Sequence, residues 1–397
     1  MKISNPTLFV EINNLNFIFS VGIYDEKENL RIDYNSNVAL KGLDKNIISD
    51  LDKAFNEIKK NIFLIEQKFN YTFREIVLIL EHNDLAFANL TGFKNLNGSK
   101  VVRENITYIL NSLKSCIDET EPKKNILHIF NSKFNLDNQK IDNLPIGLFG
   151  DFYAHELSFT LMNKNFYKNL KIIFNKCNLK IKKILIKSFV KGANISDNYK
   201  NTETFFQIEI NDNNSKIFYF ENNALKFEQD FKFGTDIIIK DISKVISLKE
   251  NDVKEILNKN ELLETLDDEL IEKEFFKENK YRKIKKKLIY EIALARIKEI
   301  SELIIFKNVN FKYYNKISNV IFLEMTQKFY FKGLDKIFKS TFSRNGSFEL
   351  NFIDNISNEN LLNTANKLVQ FGWKKEAIPM TQIKKSIIVK LFDTIFG

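Results

Sequence analysis

The sequence predicts an α/β protein built from two related lobes. The main observation is an internal sequence repeat, which we call the echo. "LFVEINNLN" and "FFQIEINDNN" each place β-forming residues before turn-forming asparagines, and further β-forming residues follow. The two Glu-Ile-Asn runs begin at Glu11 and Glu209, and helical and strand-like patterns alternate after each. A chain of 397 residues also favours more than one lobe. Chance repetition of the abundant asparagine is the alternative interpretation.

The amino-acid composition argues against several classes of protein. With 44% hydrophobic and 28% charged residues the chain is globular rather than disordered. Two cysteines and three separated histidines argue against a disulfide framework and a zinc site. The net charge of +9 permits contact with nucleic acid or an anionic membrane, but no nucleic-acid-binding signature is present. The sequence has neither a signal peptide nor an 18-residue apolar run, so we expect a cytoplasmic protein.

Periodicity predicts the elements of each half. In the first half we expect a helix over 47–69, a strand over 76–81, a helix from Lys164 and a strand over 183–189. In the second half we expect helices over 236–247, 250–257 and 284–305, a strand over 320–323 and a helix from Gly333. The helix over 284–305 is predicted to face the core with Ile284, Leu288, Ile292, Ala295, Leu303 and Ile304.

The last 16 residues carry the clearest amphipathic pattern. One apolar stripe is formed by Ile383, Ile387, Ile388, Leu391, Phe392, Ile395 and Phe396, while Lys384, Lys385 and Lys390 lie off it. This segment is too short and too charged to span a bilayer, so we expect it to lie in the membrane interface. Residues 371–381, with Gly372, Trp373 and Pro379, are predicted to form its tether. A terminal helix docked on the protein's own core is the alternative.

Three stretches resemble the bacterial cell-division protein FtsA, a membrane-tethered member of the actin-like ATPase superfamily. They are "ILHIFNSKFNLDNQKIDNLPIGLFG" (126–150), "NLKIIFNKCNLKIKKILI" (169–186) and "ARIKEISELI" (295–304). The first is similar to the family's Asn-Pro-(Ile/Val)-Gly-Met-x-Gly element, which is the most specific of the three. The amphipathic segment matches the family in type and place, and the resemblance spans nearly the whole chain.

The resemblance implies an actin-like two-lobed fold with duplicated ribonuclease-H-like cores and an ATP cleft between them. The first lobe would comprise residues 1–82 and 164–200, with an inserted subdomain over 83–163. The second would comprise a core over 201–235 and 306–370 and an accessory subdomain over 236–305. The tether over 371–381 and a membrane-targeting helix over 382–397 would follow.

The resemblance also implies a scaffold rather than a turnover enzyme. Such a protein self-associates on the inner face of the cytoplasmic membrane at the division site, binds the C-terminal tail of the tubulin-like protein FtsZ, and recruits later division proteins. The basic run Lys280, Arg282, Lys283, Lys285, Lys286 and Lys287 is a candidate surface for an acidic FtsZ tail. A solvated helix start is the alternative. Rival functions are an active ATPase or small-molecule kinase, and a pilus or secretion scaffold.

The phosphate loops are where this chain departs from the family. The family's first phosphate-loop motif, Asp-Ile-Gly-(Thr/Ser), aligns with Glu11, Ile12, Asn13 and Asn14. Its second motif, Asp-Ile-Gly-Gly-Gly-Thr-Thr, aligns with Glu209, Ile210, Asn211, Asp212, Asn213, Asn214 and Ser215. The adenosine motif falls on 323–327, which includes Met325 and Thr326, and a Gly-Gly pair before a helix falls on Gly234 and Thr235. Asparagine can adopt the left-handed backbone that glycine often provides, so we expect that the turns can persist.

The resemblance implies ATP and magnesium as cofactors, but the missing glycines predict a degenerate site. Glu11 and Glu209 either replace the carboxylates that hold Mg²⁺ or are polar strand ends over a reshaped cleft. His155, near Asp151 and Glu156, is a weaker candidate for acid–base chemistry. A surface or capping histidine is its alternative interpretation.

Overall fold

The structure, a computed structural model, describes residues 5–24, 30–44, 47–81, 84–200, 202–259, 269–276, 280–311, 320–325, 333–344 and 348–377. The chain divides into two compact units. The first comprises residues within 1–187, 224–226 and 362–397, and the second those within 188–223 and 227–361.

The first half of the chain supplies eleven described strands and four described helices. The strands are β1 (Thr7–Ile12), β2 (Asn16–Tyr24), β3 (Leu30–Ala39), β4 (Leu43–Asp44), β5 (Ile47–Ile48), β6 (Glu75–Leu80), β7 (Ala86–Asn95), β8 (Lys124–Leu136), β9 (Gln139–Ile141), β10 (Phe152–Asn163) and β11 (Lys180–Ile186). The helices are α1 (Leu51–Phe69), α2 (Arg103–Thr120), α3 (Lys164–Lys176) and α4 (Lys187–Asn198).

The second half supplies five described strands and five described α-helices. The strands are β12 (Phe205–Ile210), β13 (Ser215–Glu221), β14 (Ala224–Phe231), β15 (Val320–Met325) and β16 (Glu349–Ile353). The helices are α5 (Asp236–Ile246), α6 (Glu250–Lys259), α7 (Lys286–Ser301), α8 (Leu334–Arg344) and α9 (Asn358–Gln370). A π-helical turn, Glu302–Phe306, continues α7.

Two sheets repeat one design. Their orders are β11-β6-β1-β2-β3 and β16-β15-β12-β13-β14. In each, the first strand of a hairpin is central, antiparallel to its hairpin partner and parallel to the strand on its other side. The predicted hairpins at the two Glu-Ile-Asn runs are therefore confirmed, and the echo marks a structural duplication. A third sheet, β7-β10-β8-β9, lies within the first unit.

Buried aliphatic and aromatic side chains fill each unit. In the first, residues of β1, β2 and β6 pack against α1 and α3, with Ile58, Phe166 and Phe174 among the core. In the second, β12, β13 and β15 pack against α5, α7 and α8. Burial of this apolar surface is the main force that stabilises both sheets.

Three predicted boundaries were wrong. The helix predicted over 47–69 begins at Leu51, because the side chain of Asp50 caps it by accepting from the Lys53 N–H, while Ile47–Ile48 pairs with Leu43–Asp44. The strand predicted over 183–189 ends at Ile186, and α4 begins at Lys187. The helix predicted over 284–305 begins at Lys286 and is α-helical only to Ser301.

The predicted core face of α7 was partly wrong. Ile284 and Ile304 are buried and Ile292 packs against the core, but Leu288, Ala295 and Leu303 are exposed. The buried apolar positions that the prediction missed are Ile289, Ala293, Ile297 and Ile300 in the helix and Ile305 in the π-helical turn. Apolar residues occur on more than one side of this helix, so spacing alone did not select the buried stripe.

A glycine in α4 permits close packing in the second unit. A Cβ on Gly192 would lie 1.9 Å from Cζ of Phe220, whose ring stacks on Phe205 at 4.9 Å between centroids. The helix therefore contacts the aromatic ring through its bare backbone, although glycine is unfavourable inside a helix.

Gly192→Ala separates two opposing effects. Helix propensity alone would stabilise the variant by about 1 kcal/mol, whereas overpacking against Phe220 should cost about 1–3 kcal/mol. We expect a net loss of stability in urea unfolding, partly recovered in the double variant Gly192→Ala, Phe220→Leu. A single variant as stable as the wild-type protein would contradict this packing.

Candidate functional site

Two glutamates in the first unit share one lysine. The Nζ of Lys187 lies 2.8 Å from Oε1 of Glu11 and 2.9 Å from Oε2 of Glu81. Glu11 is only 4% exposed. Burial alone would lower the pKa of Lys187, but Glu81 and Glu11 together raise it above its ordinary value. We name Glu11, Glu81 and Lys187 the first triad.

The sheet brings these three residues together. Strands β1, β6 and β11 are parallel neighbours, so their carboxyl ends lie at one edge. Glu11 is near the end of β1, Glu81 follows β6, and Lys187 follows β11 as the first residue of α4. Each member of the first triad thus lies at or just beyond the carboxyl end of one of these strands.

The second unit contains the same arrangement. The Nζ of Lys191 lies 2.7 Å from Oε1 of Glu209 and 3.1 Å from Oε1 of Glu324. Glu209 and Glu324 are direct partners across the parallel strands β12 and β15. Lys191 lies on α4, four residues after Lys187. We name Lys191, Glu209 and Glu324 the second triad.

A third carboxyl group lies near the second triad. Glu228 accepts a hydrogen bond from the hydroxyl of Ser188 at 2.8 Å. Burial raises the pKa of Glu228 to about 8, and the nearby carboxylates of Asp230 and Glu209 also raise it. Lys216 and the hydrogen bond from Ser188 act in the opposite direction. This region is therefore rich in acidic groups.

The predicted phosphate loops form turns that bond to themselves. In the first, the side-chain oxygen of Asn13 accepts from the N–H groups of Leu15 and Asn16, at 2.9 and 2.7 Å. In the second, the Asn211 N–H donates to the Asn214 carbonyl at 2.9 Å. The positive-φ residues of the described chain include no asparagine of either turn. Both turns therefore persist, but without left-handed asparagine backbone.

Gly234 brings the start of α5 against the second turn. A Cβ on Gly234 would lie 2.0 Å from the carbonyl oxygen of Asn211. The N–H groups of Thr235 and Asp236 donate to the carbonyls of Asn211 and Asp212, each at 2.9 Å. The amide donors at this helix N-terminus are thus already bonded to protein.

The remaining predicted nucleotide residues differ in burial. Asn14 and Asn213 are exposed at the tips of their turns. Met325 ends β15 and is 7% exposed within the core of the second unit. Thr326 lies outside the described residues.

The basic run is only partly available to a partner. Lys286 is buried, with its Nζ 2.8 Å from Glu272 and 3.3 Å from Glu269. Arg282 donates to the backbone carbonyls of Ile246 and Ser247. The lysines that remain at least partly exposed are Lys280, Lys283, Lys285 and Lys287.

His155 lies inside the third sheet, so its interpretation as a surface or capping group was wrong. It is 1% exposed, and its Nε2 donates to Oδ1 of Asn131 at 2.9 Å. Burial lowers its pKa to about 4, although Glu156 acts in the opposite direction. Glu156 itself is paired with Lys226 and lies 3.6 Å from Lys133. The imidazole is therefore neutral near pH 7.

Part of the predicted tether is paired with β8. The N–H of Asn131 donates to the Lys375 carbonyl at 2.7 Å, and the N–H of Ala377 donates to the Ile129 carbonyl at 2.8 Å. We call residues 375–377 the strap. Its Glu376 lies 2.7 Å from Nζ of Lys183 and 3.6 Å from Nδ1 of His128. Burial would raise the pKa of Glu376, but His128 and Lys183 hold it below its usual value.

The predicted membrane segment, 382–397, lies outside the described residues. Within the described part of the chain, no helix combines the length and apolar character needed to cross a bilayer.

Comparison with known proteins finds weak relatives of one kind. No protein-family model matches the chain. Two proteins named cell division protein FtsA are similar, from Buchnera aphidicola subspecies Schizaphis graminum (22% identical over 215 residues) and Acyrthosiphon pisum (20% over 247 residues). The matches cover 54% and 62% of this chain. They cover only 51% and 59% of the two relatives, so the chain spans little more than half of their length.

Solved structures are similar over most of the chain at low identity. The PilM–PilN type IV pilus biogenesis complex is 10% identical with a TM-score of 0.49, covering 92% of this chain and 98% of that one. MreB5 of Spiroplasma citri bound to ADP is 10% identical with a TM-score of 0.43, covering 92% and 96%. The structure confirms the predicted α/β class and the duplication, because the described chain contains two five-stranded sheets of the same design.

His155 should leave a signature in the pH dependence of stability. Its pKa is about 4 in the folded protein and about 6.5 when unfolded. The unfolded state therefore binds more protons between these values, and stability falls as pH drops from 6.5 towards 4. The shift corresponds to about 3 kcal/mol of unfolding free energy.

His155→Gln should remove this contribution, so its stability should fall less steeply over the same pH range in urea unfolding. NMR should place the titration midpoint of the wild-type imidazole near 4. A midpoint near 6.5 would contradict the buried, neutral assignment.

Proposed function

We propose that the protein is a divergent FtsA-type cell-division scaffold. It tethers FtsZ to the inner face of the cytoplasmic membrane at the division site, self-associates, and recruits later division proteins. The observation that carries the proposal is the sequence similarity to two FtsA proteins over 54% and 62% of this chain. The duplicated α/β design of the two sheets and the amphipathic pattern of 382–397 support it.

Membrane attachment rests on the amphipathic segment. Three lysines near anionic lipid contribute about 1 kcal/mol each, and the apolar stripe adds the free energy of burying its side chains. The strap fixes the chain to β8 up to Ala377, so the segment begins only a few residues beyond an ordered point. A single segment of this kind binds reversibly, and self-association strengthens attachment by presenting several segments together.

Phe392→Glu with Phe396→Glu should release the protein from anionic liposomes. The substitutions place two carboxylates in the apolar stripe, which opposes both burial and attraction to the lipid. Co-sedimentation with anionic vesicles measures the effect. Ser386→Glu with Lys390→Gln is the matched control, because it lowers the net charge by the same amount off the stripe and should retain more binding than the first variant. If the first variant sediments like the wild-type protein, the segment does not bind the membrane.

Partner binding rests on the exposed lysines of the basic run. Lys280 and Lys283 lie at the surface, whereas Lys286 and Arg282 are engaged within the second unit. An acidic peptide tail would be steered by the exposed lysines, since complementary charge chiefly raises the association rate.

Lys280→Gln with Lys283→Gln should slow association of an FtsZ tail peptide by several-fold and flatten its dependence on salt. Stopped-flow fluorescence with a labelled peptide measures the rate. Lys240→Gln with Lys298→Gln removes the same charge from exposed positions elsewhere in the second unit and should change the rate little. A wild-type protein that does not bind the tail peptide would exclude FtsZ tethering through this surface.

A further inference from the structure

The residues implied for Mg-ATP do not fit that ligand. Two carboxylates at strand ends are a suitable start for a magnesium site. In each triad, however, both carboxylates already contact a lysine ammonium at 2.7–3.1 Å. Within the described residues, no group of three or more acidic, histidine or cysteine side chains is arranged to hold a metal ion.

The backbone donors of the loops are also engaged. Phosphate loops bind anions through N–H groups that point at the ligand. Here the N–H groups of Leu15 and Asn16 donate to the Asn13 side chain, and those of Thr235 and Asp236 donate to carbonyls of the second turn. A phosphate would have to displace these bonds.

The electrostatics of the triads disfavour an added anion. Each triad sets two carboxylates against one ammonium, which leaves one net negative charge. Asp212 adds a further carboxyl group in the second turn. Like charges in a partly buried setting repel strongly. A triphosphate would therefore meet surroundings with a net negative charge.

We propose that Lys187 and Lys191 are built-in cations that take the place of a bound divalent metal, so that each unit is complete without nucleotide. The proposal rests on the proposed function only in saying how that scaffold is regulated. Assembly and membrane attachment would not depend on ATP, because in each triad a lysine ammonium already occupies the place beside the two carboxylates that magnesium would take.

The first test uses the wild-type chain. Titration with Mg-ATP to 10 mM, followed by thermal shift and calorimetry, should show no saturable binding. Saturable binding with stabilisation of the fold would overturn the proposal. Liposome and tail-peptide binding are measured on the same preparation, so this result is independent of whether the scaffold function holds.

The second test removes a built-in cation. Lys187→Met leaves Glu11 and Glu81 facing each other without neutralisation, and breaking such a pair should reduce the folding equilibrium constant at least about a hundredfold. Without the lysine, the two carboxylates should bind magnesium. The folding equilibrium constant should then recover about tenfold when the Mg²⁺ concentration is ten times the dissociation constant. The wild-type protein should show no such response.

Lys187→Met with Glu11→Gln is the matched control. It removes the repulsion as well as the lysine, so it should be more stable than Lys187→Met and insensitive to magnesium. Equal stability of Lys187→Met and the wild-type protein would refute the role of Lys187. Lys187→Met alone does not have to fold for the test to work. If it is unfolded but the double variant folds, the role of Lys187 is supported. If neither variant folds in 10 mM Mg²⁺, that role is contradicted.

Discussion

Each central strand of this protein carries a glutamate at its buried carboxyl end, and a lysine from α4 neutralises it. Glu11 and Glu209 are 4% and 8% exposed. A carboxylate so withdrawn from water is costly unless it is paired. The pairing also joins strands, because Lys187 contacts the ends of β1 and β6 and Lys191 those of β12 and β15. The carboxyl edges of both sheets depend on these contacts.

The duplication of the fold was predictable from sequence because its signals are local. An asparagine cluster between β-forming residues specifies a hairpin whatever the rest of the chain does. The predicted ends of helices and strands were less accurate where a helix pattern and a strand pattern overlap. The predicted strand extended through Lys187, Ser188 and Phe189, but these residues form the start of α4. Ser188 and Phe189 are buried there. Burial in a helix and burial in a strand give the same short apolar run.

The triads and the strap were not predicted, since both join residues remote in sequence. Lys187 follows Glu11 by 176 positions, and Lys183 precedes Glu376 by 193. A partial signal existed, because apolar strands that end in glutamate at Glu81 and Glu324 call for a cation nearby. Sequence alone could not say which of the many lysines supplies it. The helix-breaking Gly372 marked the point where α9 ends, but nothing in the sequence indicated the pairing that follows.

The strap determines where tension enters the fold. Beyond Ala377 the chain continues from the edge of β8 and not from the end of α9. A pull applied from that direction is borne first by two backbone hydrogen bonds and the contact between Glu376 and Lys183. Because these contacts follow α9 in the chain, they would have to part before such a load reached that helix.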